Sequence, residues 1–236
     1  MINVALVFGG ISSEREVSIK TSESIKANLA SINELNLFEF DFKENCDELL
    51  DFIKKNNIDL VFNALHGGFG ENGGIQSFLE NNDIKFTGSD SGCSKIAINK
   101  HLTKQVCINN NLPTPKWDFF KTSKENINYK YLLKKYNKSM VVKPVCDGSS
   151  VGMSIIQSDL DEKKIVDAII EVNKNSDEVL IEEYIKGREI TVGIIDGIAL
   201  PIVEIIPEGD FYDYNSKYTD GMSKYIVPAK ISEVNS

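Results

Sequence analysis

The stretch Ile2-Asn-Val-Ala-Leu-Val-Phe-Gly-Gly-Ile-Ser-Ser-Glu-Arg-Glu-Val-Ser18 decides the fold class. Residues 2–8 are a short apolar run that stops at a Gly-Gly break, the pattern of a strand buried in a parallel sheet. Ser13-Glu-Arg-Glu16 has the spacing of a capping box and predicts a helix start. Val17, Thr21, Ile25 and Leu29 then fall on one helical stripe.

Working outward, the alternation repeats. A strand is expected over 37–42, a helix over 47–55, a strand over 59–65 that runs into His66, a helix from Gly74-Ile75 and a fourth strand over 84–86. This order predicts an open parallel α/β sheet with helices on its faces. The pattern changes near residue 90: two helices across 91–110 end at Leu112-Pro-Thr-Pro115, where prolines stop a helix. Strands are expected at 117–120, 139–143, 151–157, 179–185, 190–195 and 199–206, with one helix at 160–173 among them. That is an α+β part with antiparallel pairing. Residues 130–138 read as a charged, solvated helix with no evident role.

The 236 residues suit two domains or one large one, and a 42% hydrophobic share supports a core. A 26% charged share and a formal net charge of −9 argue against a broad nucleic-acid-binding face, while leaving room for local basic spots that meet phosphates. The abundance of Asn, Lys, Ile and Asp reads as compositional drift. No apolar run approaches the ~20 residues of a membrane span, and the first residues lack the basic lead of a signal peptide. Cys46, Cys93, Cys107 and Cys146 have no metal-binding spacing and read as free thiols in a reducing cytoplasm.

Five segments can carry chemistry. Glycine turn and helix start at Gly9–Ser18 suit an anion, but Glu14 at the entrance disfavours phosphate and suits an ammonium; the plainer role for Glu14 and Glu16 is to complement the helix dipole. His66-Gly-Gly-Phe-Gly-Glu-Asn-Gly-Gly74 sits at the carboxyl end of a strand, where open α/β sheets bind ligands. His66 either meets a ligand oxyanion or is satisfied within the loop. In Met140-Val-Val-Lys-Pro-Val-Cys-Asp-Gly-Ser-Ser-Val-Gly-Met153, a lysine ends a strand and a small-residue loop follows, so that Lys143 and backbone N–H groups can approach a triphosphate. An ordinary hairpin with a flexible tip fits too. Glu182 and Glu189, in the stretch from Val179 on, can accept from an exocyclic amine and a ribose hydroxyl, or simply be solvated. Phe211-Tyr-Asp-Tyr-Asn-Ser-Lys-Tyr-Thr-Asp220 suits a loop that closes over a site, or a surface tyrosine cluster.

In this order, GGISSEREVS, ALHGGFGENG, VVKPVCDGSSVGMS, LIEEYIKGREITV and FYDYNSKY resemble the D-alanine–D-alanine ligase family across residues 1–236. The resemblance implies an N-terminal D-alanine-binding domain (1–95) and an ATP-grasp fold, made of a central subdomain (96–178) and an incomplete C-terminal subdomain (179–236). It implies ATP-dependent ligation of two D-alanines through an acyl phosphate for peptidoglycan precursor synthesis, in the cytoplasm, by a homodimer using Mg²⁺ or Mn²⁺, with no nucleic-acid or membrane partner. It places Lys100, Lys143 and Lys217 toward the phosphates, and Gly148, Ser150 and Val151 in a loop over the triphosphate. Glu182 and the backbone of Glu183, Tyr184 and Ile185 hold adenine, and Glu189 holds ribose. Glu14 faces the ammonium of the first D-alanine, His66 lies near its carboxylate, and Glu14, Ser149 and Tyr218 form a network that closes the site. The family's metal-binding Asp and Glu-x-Asn are expected beyond Ser236, so no metal ligand is expected within 1–236 and this stretch alone is expected not to turn over. A D-alanine–D-lactate type ligase, and a nucleotide-binding remnant without turnover, are the alternatives; Tyr218 favours the dipeptide.

Overall fold

The first strand, β1 (Ile2–Gly9), is the centre of a parallel three-stranded sheet, with β2 (Leu35–Phe42) on one side and β3 (Leu60–Asn63) on the other. Its central position explains the unbroken apolar run: Val4, Ala5, Leu6 and Val7 are all buried. The computed structural model describes residues 1–123, 126–137, 139–157, 160–209, 217, 219 and 221–231. By internal contacts the chain forms two units, Met1–Thr114 with Val145–Gly148, and Pro115–Pro144 with Ser149–Ser236.

In the first unit α1 (Arg15–Leu29) lies close to β1 because the residues it turns inward, Ser18 and Ser22, are small as well as buried. The expected capping box does not form. The helix starts one residue after Glu14, which makes no side-chain cap, and Ser12 rather than Ser13 turns its hydroxyl back to the backbone N–H of Glu14 at 3.2 Å. α2 (Cys46–Lys55) and α3 (Gly74–Asn81) bury Leu49, Ile53, Ile75 and Leu79 against the sheet. The expected fourth strand is reduced to a single parallel bridge between Val61 and Phe86. α4 (Ser91–Ile98) and α5 (Lys100–Asn109) complete the unit.

The second unit holds a four-stranded antiparallel sheet of order β4-β7-β5-β6, built from β4 (Trp117–Lys121), β5 (Ser139–Pro144), β6 (Ser154–Gln157) and β7 (Glu178–Glu183). α6 (Tyr129–Lys135) and α7 (Glu162–Asn173) cover it. α6 is not merely solvated: Leu132 is fully buried, and Tyr136 just beyond it donates to Asp118 Oδ2 at 3.0 Å and Ile181 O at 3.2 Å. Strand β6 starts at Ser154 rather than 151, because Ser149, Ser150 and Gly152 have φ of 49°, 62° and 67°, outside the extended region. The strands expected at 190–195 and 199–206 each divide. β8 (Glu189–Thr191) and β11 (Val203–Pro207) pair with β12 (Ser223–Ile226) in the order β12-β11-β8. β9 (Ile194–Ile195) and β10 (Ile198–Ala199) form a separate hairpin about Asp196-Gly197, both with positive φ, the two-residue turn that matches strand twist.

The asparagine and aspartate content has structural use, contrary to the reading of drift. Asn45, Asp90, Asn99, Asn128 and Asp161 each accept a backbone N–H at the first turn of α2, α4, α5, α6 and α7. Asn57, Asp83 and Asn111 hold the left-handed position after α2, α3 and α5, at φ of 47°, 55° and 57°. The next residue, Ile58, Ile84 or Leu112, then returns its N–H to Ile53, Leu79 or Cys107 at 2.8–3.0 Å. No helix among the described residues is long and apolar enough to cross a membrane.

Candidate functional site

In the first unit the carboxyl end of β1 and the loop after β3 are stitched together through serines. Ser18 Oγ accepts from Gly9 N at 2.8 Å and donates to Ala64 O at 2.7 Å, while Ser12 Oγ donates to His66 O at 2.6 Å. Asn63 Nδ2 and Gln76 Nε2 both donate to Gly70 O, at 3.1 and 2.8 Å, so the glycine-rich loop is fixed rather than loose. The His66 ring is held by side chains. Its Nε2 lies 2.9 Å from Thr21 Oγ1, and its Nδ1 lies 3.7 Å from Glu71 Oε1. Glu14 is buried at 5% exposure, and Gly67 is wedged against it: a Cβ there would sit 2.6 Å from Glu14 Oε2. Gly148, counted with this unit, also faces Glu14 Oε2, at 3.2 Å from the place of a Cβ. Lys100 Nζ donates to Asp147 O at 2.5 Å and Val145 O at 3.3 Å, which ties the start of α5 to the loop after β5.

Glu71 was not singled out by sequence, though it stands in the same loop. Burial raises its carboxyl pKa; the N–H of Gly67 and the His66 ring oppose this, and Glu14 adds to it. An acid whose pKa is higher folded than unfolded loses stability as pH rises past its ordinary value of about 4.3. Glu71→Gln therefore should be more stable than the parent at pH 7 and equal to it below about pH 4. With solvent screening part of the charge, the expected gain is about 1–2 °C in Tm. Melting curves at the two pH values check it, and an equal shift at both would show that the effect is not ionic.

In the second unit a cleft of about 770 Å³ opens between the four-stranded sheet and the β12-β11-β8 sheet. Lys143, Ser150, Glu182, Glu183, Tyr184, Ile185, Glu189 and Lys217 all line it. Register brings the chemistry together. Val141 stands between Ile155 on β6 and Glu182 on β7, and Lys143, two residues along, reaches diagonally to form an ion pair with Glu182. Glu183 turns the other way: its Oε1 accepts from Lys116 N at 2.9 Å and its own N–H bonds Lys116 O at 3.0 Å. Lys217 Nζ donates to Ser150 Oγ at 3.1 Å, so a residue of the 211–220 segment reaches the small-residue loop. The apolar wall, with Val141, Met153, Ile155, Ile205 and Ile206, was missed in the sequence; alternation along β5 and β6 was the available signal. Val151 does not line this cleft, and Tyr218 lies outside the described residues. Among the described residues no group of three or more His, Cys, Asp or Glu gathers as a metal-ligand set.

Residues 106–236 match the family described as "D-ala D-ala ligase C-terminus", and residues 41–89 match "D-ala D-ala ligase N-terminus". The chain belongs to the D-alanine–D-alanine ligase family. A D-alanine–D-alanine ligase of Aquifex aeolicus is 41% identical over 96% of this chain and 74% of its own length. The crystal structure of the D-alanine–D-alanine ligase from Bacillus anthracis superposes with a TM-score of 0.84 at 35% identity, over 100% of this chain and 74% of that one. A D-alanine–D-alanine ligase from Bacillus anthracis complexed with ATP gives 0.81 at 30% identity, over 100% of this chain and 73% of that one. The mixed α/β and antiparallel architecture is thus that of the ligase family, with its ATP-grasp fold.

Proposed function

We propose that this ligase-family chain joins two D-alanines into D-alanyl-D-alanine with ATP, through an acyl phosphate. The observation that carries it is the Lys143–Glu182 cleft, where cation and carboxylate meet across the β5–β7 register beside an apolar wall drawn from both sheets. The apolar side chains suit the faces of adenine. Glu182 suits its exocyclic amine, Glu189 the ribose, and Lys143 and Lys217 the phosphates. Lys100, Gly148, Ser150 and Val151 are assigned to the triphosphate, and the backbone of Glu183, Tyr184 and Ile185 to adenine. In the first unit the Glu14 and Glu71 carboxylates, close enough to repel one another, suit the ammonium of D-alanine, and His66 suits its carboxylate.

Activation is needed because a carboxylate is a poor acylating agent. Lysines neutralise the phosphoryl group as it moves to the carboxylate of the first D-alanine, and phosphate leaves when the second amine attacks. That amine must first lose a proton, for which Ser149 and Tyr218 are the assigned relay. Mg²⁺ or Mn²⁺, a homodimer and a cytoplasmic location are carried as proposals with the reading. We keep residues 1–95, 96–178 and 179–236 as its functional divisions; the gap between the two family matches, at 90–105, supports the first boundary.

The test is to supply ATP, Mg²⁺ and D-alanine, with D-lactate as a competing acceptor, and to identify products by mass spectrometry. ADP, phosphate and D-alanyl-D-alanine in equal amounts are expected. ADP formation that does not depend on D-alanine, or D-alanyl-D-lactate as the main product, would overturn the reading.

A further inference from the structure

Strand β8 poses a problem of support. It is three residues long, all exposed, and lies at the edge of its sheet with β11 as its neighbour. A short exposed edge strand has little packing to hold it, and such segments open at low free-energy cost. Yet its first residue is Glu189, opposite Ile205 in the register, on the wall of the nucleotide cleft.

The residue just before it carries a specific anchor. Arg188 Nε donates to Glu204 Oε1 and Arg188 Nη2 to Glu204 Oε2, each at 2.5 Å, the two-pronged geometry that fixes direction as well as distance. Its third nitrogen, Nη1, donates to Lys230 O at 2.9 Å. Glu204 lies on β11, the central strand of this sheet, and is 8% exposed. One guanidinium thus joins the entry to the edge strand, the central strand and the chain beyond β12. The contact also holds the Glu204 carboxyl below the usual carboxylate range. Arg188 and Glu204 also line the cleft, but each of the three guanidinium nitrogens donates to a protein oxygen, which places Arg188 to hold backbone rather than a phosphate.

We propose that Arg188 and Glu204 form a positioning clip that fixes the backbone presenting Glu189, and so sets how strongly the cleft recognises the ribose hydroxyls of its nucleotide. The clip acts through Glu189 and rests on the reading of that residue as the ribose acceptor.

Calorimetric titration with ATP and with 2′,3′-dideoxy-ATP separates the possibilities. The parent chain should prefer ATP by about tenfold, the worth of a charge-assisted hydrogen bond. In Arg188→Lys, which keeps the charge but loses the fork, and in Glu204→Gln, ATP should weaken while dideoxy-ATP holds its affinity. Unchanged dideoxy-ATP binding reports at the same time that the cleft is still folded. Glu189→Gln should show the same collapse of preference, and adding Arg188→Lys to it should cost little more, because both remove one function. Equal weakening of both nucleotides, or an unchanged preference in the clip variants, would overturn the clip while leaving the ribose reading intact. A parent chain that binds both nucleotides equally would overturn the ribose reading and the clip together.

Discussion

Lys143→Ala is expected to lower folding stability by about 3–5 kcal/mol, the cost of leaving one member of a buried ion pair behind. Glu182 is 6% exposed, and its ion pair with Lys143 is made across β5 and β7 at the floor of the cleft. Truncating the lysine takes the cation away from a carboxylate that stands opposite Val141 in the strand register. The double variant Lys143→Met with Glu182→Gln removes both charges at similar volume and should recover most of the loss, since a neutral pair needs no compensation. ATP affinity should separate from stability. It should fall at least about tenfold in Lys143→Ala and stay low in the double variant, because the phosphate-facing charge is gone in both. Urea denaturation and calorimetric titration on the same preparations check the two halves. Full stability in Lys143→Ala would mean that the pair is solvated in solution, and full ATP affinity would remove Lys143 from the phosphate site.

Gly67→Ala should be as damaging for a different reason. Gly67 has φ 65° and ψ 174°, a backbone region in which essentially only glycine is comfortable. The conformational cost alone is of order 1–3 kcal/mol. The new methyl would also stand 2.6 Å from Glu14 Oε2 and 3.2 Å from Ser12 Oγ, so either the loop or the buried carboxylate has to move. Displacing Glu14 should abolish D-alanine binding at concentrations that saturate the parent, while nucleotide affinity, most of whose assigned contacts lie in the second unit, should fall far less. Gly68→Ala serves as the neighbour control for backbone strain without the clash, since Gly68 too has a positive φ, 47°, but a Cβ there meets nothing closer than 3.6 Å. Equal D-alanine affinity in Gly67→Ala would show that Glu14 does not touch the amino acid.

The parts of the fold that sequence revealed are those written in local runs. The apolar stretch of β1 and the stripe of α1 are of this kind, as are the prolines that end α5. What it concealed depended on partners far along the chain or on unusual backbone. Nothing in Ser149-Ser150 announces two left-handed residues, so β6 was expected three residues early. The turn at Asp196-Gly197 was legible as the gap between the strands expected at 190–195 and 199–206, while the further breaks after Thr191 and Ala199 were hidden by apolar residues that continue through them. Within the site, the residue types of Lys143 and Glu182 could be read as nucleotide-binding, while their mutual ion pair required the β5–β7 register. Arg188 and Glu204 were invisible for the same reason, and the Thr21–His66–Glu71 contacts needed α1 to be set against the loop after β3.

The asparagine and aspartate residues that close α2, α3 and α5 bear on how the chain can tolerate change. Positions 57, 83 and 111 ask only for a left-handed backbone, which asparagine, aspartate and glycine all accept, so exchange among these three is nearly free there. Glycine is thereby released from helix punctuation. More than half of the 16 glycines lie instead in the three stretches at 9–10, 67–74 and 148–152. Several of those have no room for a methyl: Gly9 would meet Asp41 at 2.2 Å, Gly70 would meet Leu65 at 2.3 Å and Gly74 would meet Phe69 at 2.4 Å. Random substitution therefore meets two regimes in one polypeptide, a permissive one at the helix ends and a frozen one around the ligand loops. In a mutational scan of this chain, intolerance at glycine should trace the outline of the binding surface.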